Sequence, residues 1–150
     1  MIKPVVTWIV VADGARARAF ENRGPGKGLA PVDGFAFEQE RLRDQDIEAD
    51  RPGRAFSSVG RGRSAIEPTT DPAAYREMGF AKRLAQQLRQ RFEEGGFDRL
   101  IIAADPTALG NLRGALDAEL DKAIVAEVPK DLTNVPLPDL PRHFDGMLAV

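Results

Sequence analysis

Cysteine is absent from the 150 residues, and histidine, tryptophan and tyrosine occur once each. Without cysteine the chain can form neither a disulfide nor a thiolate-ligated metal site. An excess of one charge is missing as well, since the formal net charge is −2 at pH 7. No general attraction to nucleic acid or membranes is therefore expected, and any such binding has to be local.

Long apolar runs are missing too. The run nearest the N-terminus, Val5–Ala12, ends at Asp13 and is far shorter than the ~20 residues that span a bilayer. No small-residue cleavage pattern follows it, so no signal peptide is predicted. We expect a cytoplasmic protein with no membrane association. The length and the 43% apolar content fit one globular domain over residues 1–150.

The first part of the chain predicts three antiparallel strands. Val5–Ala12 is nearly all apolar, as in a strand buried at the centre of a sheet. Asp13-Gly14 then indicates a hairpin, because both residue types tolerate a positive φ. The next residues alternate between alanines on one face and larger side chains on the other, namely Arg16, Arg18 and Phe20. Leu29–Glu38 is predicted as the third strand.

The second part predicts a βαβ unit after a long helix. Asp71-Pro72 is a helix start, and that helix is expected to run to about Glu94. Strands at Arg99–Ala104 and Ala123–Val128 flank another helix, so they should be parallel with a right-handed crossover. That helix should bury Leu109, Leu112, Leu116 and Leu120, and Leu140, Phe144 and Leu148 are expected to dock as a short helix. The predicted fold is a mixed five-stranded α/β sheet of the ribonuclease H-like and ribosomal-protein-like arrangement.

A polar stretch at about residues 40–70 contains the motif Asp50-Arg51-Pro52-Gly53-Arg54 and is predicted to be a mobile loop. No acid lies between Asp50 and Glu67. Guanidinium groups suit phosphates, and glycines expose backbone donors. The hypothesis is a clamp for phosphate groups of RNA, formed by Arg51, Arg54, Arg61 and Arg63, with Arg16 and Arg18 added from the second strand. The alternative is a solvated loop without a ligand.

Three aspartates, Asp13, Asp105 and Asp131, each follow a predicted strand. Carboxylates gathered at neighbouring strand ends can hold Mg²⁺ and support a metal-dependent nuclease or phosphohydrolase. The alternative roles are a turn for Asp13, a helix cap for Asp105, and a cap or a pair with Lys130 for Asp131. His143 has no serine or cysteine partner that the sequence can position, so no catalytic triad is predicted.

Several blocks, taken in order, resemble the family of proteins required for attachment to host cells. They are Trp8–Arg18, Asp50–Arg54, Phe80-Ala81, Phe97–Leu100, Leu109–Arg113 and Lys130–Thr133. The resemblance implies a role in bacterial attachment to a host. It also implies a fold similar to the middle domain of class 1 translation release factors. Those factors carry Gly-Gly-Gln in the corresponding loop, whereas residues 59–63 read Val-Gly-Arg-Gly-Arg, so release catalysis is not expected.

The function expected from these observations is a non-catalytic cytoplasmic binding protein, without a cofactor. Its partner would be RNA, the ribosome or another phosphate-bearing molecule, held by the basic loop. Two alternatives remain open. One is the metal-dependent hydrolase built on the three aspartates, and the other is a protein-interaction module whose loop becomes ordered on a protein partner.

Overall fold

Five strands form one mixed sheet in the computed structural model, which describes residues 4–39 and 71–148. The motif at 50–54 and the predicted loop at 40–70, with Arg51, Arg54, Arg61 and Arg63, lie outside the described residues. The strands are β1 Thr7–Ala12, β2 Arg16–Asn22, β3 Ala30–Glu38, β4 Arg99–Ala104 and β5 Ile124–Val128. Their order is β3-β2-β1-β4-β5. β1 to β3 are antiparallel neighbours, and β1, β4 and β5 are parallel. The predicted mixed α/β sheet is confirmed.

β1 is the central strand because its sequence allows burial on both faces. All six of its residues are buried, and it pairs with β2 on one side and β4 on the other. A strand in that position needs side chains that avoid water on both faces of the pleat, which is why it reads as a continuous apolar run.

Within residues 4–39 and 71–148 the α-helices that connect or cover these strands are α1 Pro72–Glu93, α2 Pro106–Ala115 and α3 Ala118–Ala123. Each begins with an aspartate whose carboxylate accepts backbone N–H groups, at Asp71, Asp105 and Asp117. The single helix expected between β4 and β5 is divided. Leu116 is extended, with ψ 143°, and Asp117 starts the next helix by accepting from the Leu120 N–H at 2.9 Å. No helix among the described residues has the length and apolar composition to cross a membrane.

One face of the sheet, called here the helix face, is covered by α1 and α2. Leu84 and Leu88 of α1 and Leu112 of α2 pack on Trp8 and on its neighbours in the sheet. The Trp8 ring lies 5.2 Å from the Phe35 ring and 4.8 Å from the Phe97 ring, measured between centroids. This face is a continuous apolar layer.

The other face, called the tail face, is covered by the irregular segment 129–148. Leu140 and Phe144 are both fully buried against a cluster that includes Ile9 and Ile101. The short helix expected here is two 3₁₀ turns, Leu137–Asp139 and Pro141–Phe144. Prolines at 136, 138 and 141 lack the N–H groups that a continuous α-helix needs, so only short turns form.

β3 carries a bulge that brings an aromatic ring into the core. Arg18 pairs with Ala36, but Phe20 pairs with Pro31, so β3 contains extra residues between these pairs. Gly34 in this bulge has φ +75°, a conformation that favours glycine. The bulge places Phe35 at 1% exposure on the helix face.

Candidate anion-binding cleft

Several of the polar residues singled out from the sequence, among those that the structure describes, lie at one edge of the sheet. Ala12 and Ala104 are paired in the parallel strands β1 and β4, so Asp13 and Asp105 follow at adjacent strand ends. β2 runs the opposite way and begins at the same edge with Arg16, which is paired with Glu38 at the end of β3. This edge, called the polar edge, is where ligands of open α/β sheets commonly bind.

Asp13 holds the β1–β2 hairpin together. Its side chain is buried, and Oδ1 accepts the N–H groups of Ala15 at 2.8 Å and Arg16 at 2.7 Å. Gly14 does not adopt a positive φ. The hairpin is therefore present as predicted, but the aspartate carboxylate forms the turn in place of the left-handed backbone that was expected.

The other two aspartates have similar local roles. Asp105 accepts the Ala108 N–H at 3.2 Å as the cap of α2. Asp131 accepts the Thr133 N–H at 2.9 Å and its hydroxyl at 2.5 Å. Within residues 4–39 and 71–148, no three acidic or histidine side chains form a group that could hold a metal ion. In the described part of the chain each of these carboxylates serves its own turn or helix cap, and the metal site considered from the sequence stays a prediction.

Arg16 and Arg18 fasten the tail segment to the sheet. Arg16 donates to Asn134 Oδ1 and Thr133 Oγ1, both at 3.0 Å, and to Asp13 Oδ2 at 3.2 Å. Arg18 Nη2 donates to the carbonyl oxygens of Thr133 at 2.7 Å and Val135 at 3.1 Å. Arg16 and Arg18 thus share one face of β2, as the alternating pattern predicts, but the backbone of residues 132–135 covers part of that face.

The positive charge of Arg18 is incompletely compensated. Burial, and then the nearby charge of Arg16, lower the pKa of Arg18. Its Nε is buried and makes no hydrogen bond within the described residues. Among the described residues its hydrogen-bond acceptors are carbonyl oxygens, whereas Arg16 also faces the carboxylate of Asp13.

A cleft of about 340 Å³ opens beside these two side chains. Its lining includes Arg16, Arg18, Ala36, Phe37, Glu38 and Thr133. Ligand pockets typically occupy about 300–1,000 Å³, so the volume is at the small end of that range. We call this space the arginine cleft.

The end of β3 connects the arginine cleft to the start of α1. The Gln39 side chain donates to the Arg76 carbonyl oxygen at 3.1 Å and accepts from the Arg83 guanidinium. Gln39 directly follows Glu38 of the cleft, and α1 begins one residue after Asp71. Gln39, the last described residue before the range 40–70, therefore contacts α1, the helix that starts directly after this range.

Comparison with known proteins identifies a matching family and several similar solved structures. The model of the family described as "Protein required for attachment to host cells" matches residues 8–144. The crystal structure of the archaeal translation termination factor aRF1 is similar, with a TM-score of 0.47 and 13% identity, over 81% of this chain and 29% of that one. A structure described as an archaeal protein has a TM-score of 0.44 and 16% identity, over 85% of this chain and 31% of that one. The chain thus spans under a third of either structure, and no curated protein matches it in sequence.

Proposed function

Because the chain belongs to the family of proteins required for attachment to host cells, we propose a molecular role for it within that family. It binds a phosphate-bearing partner in the cytoplasm, and the leading candidate is RNA, free or in the ribosome. The observation that carries the proposal is the arginine cleft, where two guanidinium groups converge at the polar edge. Next to that cleft Arg16 forms an ion pair with Asp13, and no carboxylate is paired with Arg18 among the described residues.

The sequence contains further positive charge in the range that follows β3. Arg51, Arg54, Arg61 and Arg63 belong to the range 40–70, which connects the end of β3 to α1. Four guanidinium groups without an intervening acid suit a run of phosphates better than a single anion. In the proposed role these four arginines contact the backbone of RNA, and the polar edge supplies Arg16 and Arg18. No bond is made or broken in this role.

The proposal is tested by fluorescence anisotropy with labelled single-stranded RNA, and by co-sedimentation with ribosomes, over a series of salt concentrations. Affinity should fall as salt rises, because bound counterions are released on association. Replacing Arg51, Arg54, Arg61 and Arg63 with alanine should weaken binding. If all four contact phosphates, the slope of log affinity against log salt should become shallower by about 3.

A matched control removes the same charge elsewhere. Arg23, Arg89, Arg99 and Arg113 are exposed arginines that do not line the arginine cleft. Their replacement with alanine should change the affinity and the salt slope much less. No RNA or ribosome binding by the wild type at low salt, or equal losses in the two quadruple variants, would overturn the proposal. A protein partner for the same edge would then be the better explanation.

A further inference from the structure

The arginine cleft has a geometry suited to a single anion as well as to an extended chain. Arg16 and Arg18 are two residues apart on β2, so their side chains lie on the same face. Both reach Thr133, Arg16 Nη2 through the hydroxyl at 3.0 Å and Arg18 Nη2 through the carbonyl oxygen at 2.7 Å. Two like charges are therefore held close together by contacts to one residue.

The hydrogen-bonding capacity of Arg18 is only partly used. Its guanidinium has five N–H donors, and the bonds that it forms within the described residues all come from Nη2. Nη1 makes none there, and Nε is buried without a partner. A partly buried guanidinium next to another cation is costly unless an anion is nearby. An oxyanion in the cleft would reduce the repulsion and accept hydrogen bonds from Nη1, which is not among the buried unpaired atoms.

We propose that the arginine cleft binds one phosphate group between Arg16 and Arg18, with room for the organic part of a phosphomonoester beside it. Phosphate accepts several hydrogen bonds and fits the planar fork of arginine. The 340 Å³ of the cleft exceed what the phosphate group itself requires. This inference deepens the proposed function and rests on it for the class of partner, but it concerns a different and smaller ligand than the RNA backbone.

β3 offers two positions at which the proposal can be tested without altering either arginine. Ala36 is paired with Arg18 and Glu38 with Arg16 across the two strands, and both β3 side chains are exposed at the edge of the sheet. Glu38→Gln removes a negative charge from the lining and should tighten phosphate binding. Ala36→Glu places a carboxylate opposite Arg18 and should compete with the phosphate. Each change is expected to be about two- to fivefold in affinity, as for an exposed charge pair.

The experiment is isothermal titration calorimetry at fixed ionic strength with three probes: inorganic phosphate, AMP and adenosine. Phosphate and AMP should bind and adenosine should not. Tighter binding of AMP than of phosphate would identify a phosphomonoester as the preferred source of the group, and equal binding would identify the free ion. Thermal unfolding of both variants serves as the control for the fold.

The variant lacking Arg51, Arg54, Arg61 and Arg63 separates this inference from the proposed function. It should lose RNA affinity but bind AMP as the wild type does. RNA binding without any phosphate or AMP binding by the wild type would overturn the cleft inference alone. Phosphate affinity that neither Glu38→Gln nor Ala36→Glu changes would overturn it as well, since the anion would then lie elsewhere.

Discussion

On the helix face, leucines of α1 and α2 pack in one cluster with Trp8 and its apolar neighbours. On the tail face, an irregular segment buries Leu140 and Phe144, and two arginines hold its backbone. A helix satisfies its own backbone groups and needs only an apolar side to pack. A segment of short turns leaves carbonyl oxygens that need donors from elsewhere. The difference explains why arginines of β2 hold backbone carbonyl oxygens on the tail face, whereas on the helix face Arg91 of α1 lies over the rings of Trp8 and Phe35.

The same difference explains where the cleft opens. The buried cluster of the tail face extends to Phe20 of β2 and includes no residue of β3. Ala36 and Glu38 on β3 are consequently exposed. They lie next to Arg16 and Arg18, which donate hydrogen bonds to Thr133 of segment 129–148. Because segment 129–148 covers the tail face only in part, Arg16 and Arg18 border the open arginine cleft.

The largest expected effect tests whether the tail belongs to the cooperative core. Leu88 on the helix face and Phe144 on the tail face are both fully buried. Leu88→Ala should lower the free energy of unfolding by about 2–5 kcal/mol and Phe144→Ala by about 3–5 kcal/mol, because each leaves a cavity. Urea denaturation followed by circular dichroism measures both. A loss below about 1 kcal/mol for Phe144→Ala would mean that the tail is not part of the folding unit.

The second effect tests the polar edge, where the two faces meet. Asp13→Asn retains the size of the side chain but removes the negative charge that faces Arg16. It should lower the free energy of unfolding by about 2–3 kcal/mol, since hydrogen bonds to a charged, buried acceptor are among the stronger ones. The exposed Asp33→Asn is the control in the same assay. Equal stability of the two variants would contradict the role assigned to the Asp13 carboxylate.

Much of this architecture follows from the sequence. Val5–Ala12 predicted the central strand, although the strand itself begins at Thr7. Asp71-Pro72 and Asp105-Pro106 predicted two helix starts, and both aspartates do cap helices. These predictions are correct because they depend only on residues close in the chain: the pattern of apolar residues along the strand and the aspartate cap at the helix start.

Other features depend on residues that are far apart in the chain. Nothing in the pattern around Arg18 indicates that its guanidinium meets carbonyl oxygens of residues 132–135. The β3 bulge was missed as well, although Gly34 is a signal for it because an isolated glycine in a strand often marks a bulge. The strand topology predicts which strand ends are neighbours, and Asp13 and Asp105 do follow adjacent strand ends. Whether their carboxylates point at one another depends on turns whose hydrogen bonds the sequence does not specify.

The third effect concerns the arginine that fastens the tail. Arg18→Met retains the apolar stem but removes the donors to the Thr133 and Val135 carbonyl oxygens. We expect a loss of about 1–2 kcal/mol in unfolding free energy, limited by the water that can reach a partly exposed site. Hydrogen exchange should accelerate in residues 131–135 more than in α1. Arg113→Met is the control, because Arg113 is an exposed arginine paired with Glu127. Unchanged exchange in residues 131–135 would show that the tail is held by its apolar anchors alone.

The smallest effect distinguishes the two explanations of the β1–β2 turn. A turn with positive φ would make Gly14→Ala costly, but Gly14 does not have a positive φ. A β-carbon there would lie 2.7 Å from the Glu77 carboxyl group, which is the far end of a flexible side chain and can move away. Gly14→Ala should therefore lower the free energy of unfolding by less than about 1 kcal/mol, partly offset by the smaller entropy of the unfolded chain.

Gly34→Ala is the matched comparison, because Gly34 has φ +75° and alanine in that conformation costs about 1–2 kcal/mol. Urea denaturation of both variants should rank Gly34→Ala as the more harmful. The reverse order, persisting when Glu77→Ala removes the close contact, would mean that the turn depends on glycine and not on the carboxylate of Asp13.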